Sequence, residues 1–132
     1  MNAWALFNAG EDYAKLGEFS RSIEYCQKSL NVFQEMNDKL GLSGAYMSFA
    51  IAYKLKEDYD KSYDYFQKTI SLREELAMPY RLADGLYECG LMLIKKDDSE
   101  LAIDYLQRSL TIFREINSIS MIQRAEKALA SI

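Results

Sequence analysis

Ile23-Glu24-Tyr25-Cys26-Gln27-Lys28-Ser29-Leu30 lies inside a longer stretch, Ser20 to Met36, which the chain repeats as Asp60 to Leu76 and as Glu100 to Ile116. The shift is forty residues each time and no gap is needed. Tyr25, Tyr65 and Tyr105 coincide, as do Gln27, Gln67 and Gln107, and Glu35, Glu75 and Glu115. Conservative columns fill the intervals: Lys28/Lys68/Arg108, Ser29/Thr69/Ser109, Leu30/Ile70/Leu110 and Met36/Leu76/Ile116. The segments before these stretches obey the same shift, through Gly10/Ala50/Gly90 and Tyr13/Tyr53/Leu93. An ungapped internal period of this size marks stacked supersecondary units, each too small to bury its own apolar face.

Each unit reads as two amphipathic helices. Leu6, Ala9, Gly10 and Tyr13, then Tyr46, Phe49, Ala50 and Tyr53, recur at three- and four-residue steps. So do Ile23, Cys26, Leu30 and Phe33, and Ile103, Leu106, Leu110 and Phe113. That period is helical, not the alternation of a strand. Breaks within units fall at Gly17-Glu18, Glu57-Asp58 and Asp97-Asp98-Ser99, where Asp and Ser are available as N-caps. Breaks between units fall at Asn37-Asp38, Met78-Pro79 and Asn117-Ser118; Pro79 suits the first turn of a helix. Nothing reads as a strand or a long linker.

Composition narrows the function. Lys and Arg total 16 against 20 Asp and Glu, a formal charge of −4, and there is no histidine. Imidazole base catalysis, a Ser-His-Asp triad and His-containing zinc sites are therefore excluded. The acidic excess disfavours nucleic acid, whose phosphates need clustered cations. With 49% apolar and 27% charged residues in 132, the chain can build a core of single-domain size. Cys26 and Cys89 lie among apolar neighbours and read as buried thiols in a reducing compartment. The segment Met1 to Phe7 has no basic leader before Glu11 and Asp12, and no run approaches the length of a membrane span, so the expected setting is cytoplasmic.

These residues resemble tetratricopeptide repeats, whose pattern is an aromatic, x2, Leu, Gly, x2, Tyr, then Ala, x3, Phe. In the first unit the pattern falls on Leu6, Ala9, Gly10, Tyr13, Ser22 and Cys26; in the second on Tyr46, Phe49, Ala50, Tyr53, Ser62 and Phe66. In the third it falls on Leu86, Cys89, Gly90, Leu93, Ala102 and Leu106. The resemblance implies an all-α, right-handed α-α superhelix of three helix pairs plus a C-terminal capping helix. It implies one domain over residues 1–132, with repeats at about 1–37, 38–77 and 78–117 and a terminal helix at 118–132. Two departures stand out. The period is forty where about 34 is usual, and the proline that normally ends the second helix is replaced by Gln34, Glu74 and Arg114. Both helices should run longer than usual, as in the long-repeat branch of the family. Ala125, Leu129 and Ala130 continue the register of Ala5, Ala9 and Gly10. The terminal segment then reads either as a cap, with Gln123, Arg124, Glu126 and Lys127 on a polar outer face, or as the start of a further unit in a longer array.

In the family the first helices of each pair line a concave groove. Transferred column by column, the inward positions are Trp4, Phe7, Glu11 and Lys15, then Gly44, Met47, Ile51 and Lys54, then Asp84, Tyr87, Glu88, Leu91 and Lys95. The candidate partner-binding residues are Phe7, Glu11, Met47, Ile51, Lys54, Tyr87, Glu88 and Leu91. Their apolar members fall on a face that the packing columns do not require. Two readings remain open: a groove for an apolar peptide or partner helix, or a ladder that closes on itself or on further repeats. Three first helices roughly 8–10 Å apart would span about 20 Å, enough for about six extended residues or three to four helical turns. A carboxylate clamp of the kind some family members use for chaperone tails is absent, because Phe7, Glu11, Ser48, Asp84 and Glu88 occupy its positions.

Other features read as structural. The Tyr25/Tyr65/Tyr105 stripe reads as packing between successive pairs. Gly41-Leu42-Ser43-Gly44 lacks the context of a phosphate loop and reads as the flexible start of a helix. The carboxylates Asp58, Asp60 and Asp64, and Asp97, Asp98 and Glu100, lie at helix starts, where the macrodipole favours them, without a calcium-loop spacing. No metal or cofactor site and no catalytic constellation emerges. The expected function is a non-catalytic protein-interaction scaffold for a protein or peptide partner. The alternatives are a self-associating homo-oligomeric module and a sensor fragment of a larger signalling protein.

Overall fold

The computed structural model describes residues 1–132. Seven helices are joined by short turns: α1 (Ala3–Lys15), α2 (Phe19–Glu35), α3 (Lys39–Leu55), α4 (Tyr59–Glu75), α5 (Pro79–Lys95), α6 (Ser99–Glu115) and α7 (Ile119–Ala130). They gather into two compact units, Met1–Leu76 and Ala77–Ile132. The helices α2 to α6 are each 17 residues long.

The turns explain the period. Between helices the chain passes through one residue with positive φ: Gly17 (79°), Asn37 (53°), Glu57 (68°), Ala77 (51°), Asp97 (69°) and Asn117 (57°). These positions are spaced by twenty, so a forty-residue unit is two helix-and-turn blocks of equal length. In five turns the next N–H donates to the carbonyl five residues back: Glu18 to Tyr13, Asp38 to Phe33, Asp58 to Tyr53, Asp98 to Leu93 and Ser118 to Phe113. With the left-handed residue before it, this bond defines a Schellman close. Three of those donor residues also start the following helix. Asp38 Oδ1 accepts from the Gly41 N–H at 2.9 Å, and Asp58 and Asp98 accept from the N–H groups of Lys61 and Leu101 at 3.3 Å. At α1 the same part is played by Asn2, and α5 has Pro79 in its first turn.

In the first unit the core is Ala3, Cys26, Leu30, Phe33, Ala45 and Phe49, edged by Phe7, Ile23, Tyr46, Tyr53 and Tyr65. Close approach of paired helices rests on small residues. A Cβ on Gly10 would stand 2.6 Å from Cys26 Sγ. The Ser22 hydroxyl donates to the Gly10 carbonyl at 2.6 Å, and Ser62 does the same to Ala50 at 2.7 Å. In the second unit Gly90 faces Leu106 in the same way, with a Cβ only 2.7 Å from its Cγ. The core there includes Ala83, Phe113 and Met121, with Tyr87, Ile112, Ile116 and Ile122 around it.

Two expectations are refined. Gly41 and Gly44 do fall in the opening turns of α3, but they do not serve flexibility there. Both lie inside α3 and are buried, because aromatic rings from other helices sit where their side chains would be. A Cβ on Gly41 would meet the Phe33 ring at 2.1 Å, and one on Gly44 would meet Phe7 at 2.9 Å. Tyr25 and Tyr65 of the stripe, in turn, stack on rings of their own helix pair, while Tyr65 also lies against the core cluster that contains Cys26 and Leu30 of the preceding pair. Tyr25 stacks on Tyr13 with centroids 5.2 Å apart, and Tyr65 stacks on Phe49 at 4.7 Å and on Tyr53 at 5.6 Å. Cations cover the outer faces of these rings: Arg21 over Tyr13, Lys28 over Tyr25, Lys61 over Tyr53 and Lys68 over Tyr65.

Candidate functional site

The first-helix residues singled out from sequence fall into one set per unit. In the first unit Phe7 and Glu11 come from α1, and Met47, Ile51 and Lys54 from α3. Ser48 ties the two helices together on this side. Its buried Oγ lies 3.1 Å from Glu11 Oε1, 3.2 Å from the Phe7 carbonyl and 3.2 Å from the Gly44 carbonyl of its own helix. Phe7 is seated on Gly44 and meets the Trp4 ring edge-on at 5.3 Å, while Trp4 meets Phe33 at 5.4 Å. Phe7, Glu11, Ile51 and Lys54 are half-buried, whereas Met47 is only 6% exposed.

The face is therefore only partly spare, where the packing columns predict it to be free. Phe7 closes the edge of the core and Met47 is part of the interior. Ile51 is the apolar side chain of this set that remains half-exposed without belonging to that core cluster.

In the second unit Tyr87, Glu88 and Leu91 project from α5, all half-buried. A groove of about 430 Å3 opens between α5 and α7, lined by Tyr87, Leu91, Arg124, Lys127, Ala128 and Ser131. Tyr87 also packs on Met121 and its neighbours, so it is both lining and support. Burial pushes its phenol pKa above the usual tyrosine range. Glu88 and Asp84 add to that shift, and Arg124 opposes it. Arg124 and Lys127 are exposed on α7, as a polar outer face requires, and they also stand at the lip of the groove, a relation between helices that no local pattern encodes.

The groove offers apolar side chains on α5 and cations on α7. Cys26 and Cys89 are fully buried, and burial pushes each thiol up to about 12, which keeps both protonated and unreactive. No group of three or more Cys, Asp or Glu residues is arranged to hold a metal ion. No helix is long and apolar enough to cross a membrane.

The sequence pattern of the tetratricopeptide repeat matches residues 2–75 and again 42–115. The chain belongs to the tetratricopeptide repeat family. Its fold is an all-α, right-handed α-α superhelix of helix pairs with a terminal helix. Among solved structures it is similar to aspartyl phosphate phosphatase F from Bacillus subtilis, at 24% identity and a TM-score of 0.86, covering 93% of this chain and 32% of that one. It is similar to a signal transduction ATPase with numerous domains and a tetratricopeptide repeat sensor from Pyrococcus horikoshii. There the identity is 16% and the TM-score 0.86, over 98% of this chain and 20% of the other. It is also similar to the N-terminal domain of stress-induced protein-1 from C. elegans, at 19% identity and a TM-score of 0.67, over 94% of both chains. The chain thus spans about a third and a fifth of the first two proteins. No curated protein matches its sequence. Proteins of this fold generally act as protein-interaction modules.

Proposed function

We propose that this chain is a non-catalytic scaffold that binds a peptide or an amphipathic helix of a protein partner on its first-helix faces. The contacts would come from Phe7, Glu11, Ile51 and Lys54 in the first unit and from Tyr87, Glu88 and Leu91 in the second, with the buried Met47 supporting them from beneath. The observation that carries this reading is the groove floored by Tyr87 and Leu91, where apolar side chains remain half-exposed between two helices of one unit. The lack of histidine and the two protonated, buried thiols support a non-catalytic role. Those thiols also suit a reducing, cytoplasmic setting.

The test is selection of binding peptides from a displayed library against the whole chain, followed by affinity measurement with Ile51→Asp and Leu91→Asp. Binding that falls roughly tenfold in either variant, with melting temperature unchanged, supports the proposal. Selected peptides that bind both variants as well as the unaltered chain overturn it.

A second reading, a sensor segment of a larger signalling protein, is favoured by one observation. The chain matches only a fifth of the Pyrococcus horikoshii protein, whose repeats are described as a sensor. The two readings are compatible, since a sensor segment of this kind also works by binding.

A further inference from the structure

We infer that the α5–α7 groove docks a partner helix carrying carboxylates beside its apolar face: an acidic amphipathic helix. This rests on the interaction reading above and adds the chemistry of the occupant. The spacing of the groove's contacts is helical on both walls. Tyr87 and Leu91 are four residues apart on α5, and Arg124 and Lys127 three apart on α7, so each pair spans about one turn. A helix lying along the groove presents apolar side chains at i and i+4 to the first pair. It presents side chains flanking that stripe to the second.

Charge selects among such helices. The chain carries a net −4, yet the α7 lip offers two exposed cations, and neither Arg124 nor Lys127 enters a salt bridge. Across the groove Asp84 and Glu88 on α5 act on Tyr87, and both already have interactions of their own. Unpaired cations beside an apolar floor attract a carboxylate-bearing partner and repel a basic one. The Ser131 hydroxyl at the end of the groove is turned back to the Ala128 carbonyl at 2.6 Å, so the ends of Arg124 and Lys127 carry the polar recognition.

The experiment uses the full chain and a displayed library of helical peptides of about 14 residues, some four turns, with Leu fixed at i and i+4 and flanking positions randomised. Enrichment of Asp and Glu at the flanks is expected. Affinity should fall roughly tenfold in Arg124→Glu/Lys127→Glu, and reselection on that variant should enrich Lys and Arg. Binders that lose affinity in Leu91→Asp but not in the charge-reversed variant, with no acidic preference, overturn this inference and leave the interaction reading standing. Binders indifferent to all these changes overturn both, as does the absence of binders. Two further outcomes assign the groove to another occupant and overturn the inference: a solution mass at multiples of 15.3 kDa that the charge reversal returns to one copy, or co-sedimentation with phosphatidylserine vesicles that the reversal abolishes.

Discussion

The Ser22 hydroxyl reaches from α2 to the Gly10 carbonyl of α1 at 2.6 Å, and both groups are wholly inside the protein. The bond stands beside a close approach of the two helices, where Cys26 fills the space a Gly10 side chain would need. Ser62 repeats it on Ala50 at 2.7 Å, while the third unit has Ala102 in the same column. The column therefore accepts a methyl group, and the hydroxyl is an additional tie.

Removing that tie should be mild. Ser22→Ala and Ser62→Ala are each expected to destabilise the fold by about 1 kcal/mol, because the carbonyls left behind keep their places in the helix ladder. Denaturant melts of the two variants measure this directly. A loss above about 3 kcal/mol would mean that the helices separate, not that a single bond is missing.

Ser29 should behave in the opposite way. In its column Thr69 donates to the Tyr65 carbonyl at 3.0 Å and Ser109 to the Leu106 carbonyl at 2.8 Å, but the buried Ser29 Oγ has no hydrogen-bond partner. An unmade buried hydrogen bond costs roughly 1–3 kcal/mol. Ser29→Ala should accordingly stabilise the protein by about 1 kcal/mol, read as a higher denaturation midpoint with an unchanged slope. Ser109→Ala should lower the midpoint.

The turns hold strain that can be released. Glu57 sits at φ 68° with its side chain exposed, in a conformation that disfavours any residue with a Cβ by about 1–2 kcal/mol. Glu57→Gly removes that cost while giving the unfolded chain more freedom, worth about 0.4–1 kcal/mol. A net gain of about 0.5–1 kcal/mol is expected, visible in equilibrium unfolding. The converse variant, Gly17→Val at φ 79°, should destabilise although no atom lies within 4 Å of the added Cβ.

What the sequence discloses and what it withholds follow a physical line. The helices, their pairing columns and their breaks are written as periodicity and capping residues, because those depend on neighbours along the chain. The positive-φ positions are only partly written: Gly17, Asn37, Asp97 and Asn117 are residues that tolerate this region, but Glu57 and Ala77 adopt it because the equal-length turns require it. Glycine is ambiguous for the same reason. Gly41 and Gly44 look like flexibility until the rings of Phe33 and Phe7, 8 and 37 residues away, are found on top of them. At the candidate site Leu91 and Tyr87 could be named from their columns. Arg124 and Lys127 could not, since their place beside those residues depends on how α7 is rotated against α5.

The two thiols give the protein an alkaline limit. In the unfolded chain a cysteine loses its proton near 9, whereas burial holds Cys26 and Cys89 protonated up to about 12. Between those values the unfolded state binds fewer protons than the folded one, so stability falls as pH rises. The contribution is fully present below about pH 9 and is lost as the pH climbs through the folded values. At pH 10 each thiol should withdraw about 1 kcal/mol. Melting the unaltered chain and Cys26→Ala/Cys89→Ala at pH 7.5 and pH 10 isolates this contribution from that of the tyrosines, which both proteins share. The unaltered chain is expected to lose more stability between the two pH values, and equal losses would show that the thiols ionise within the folded state.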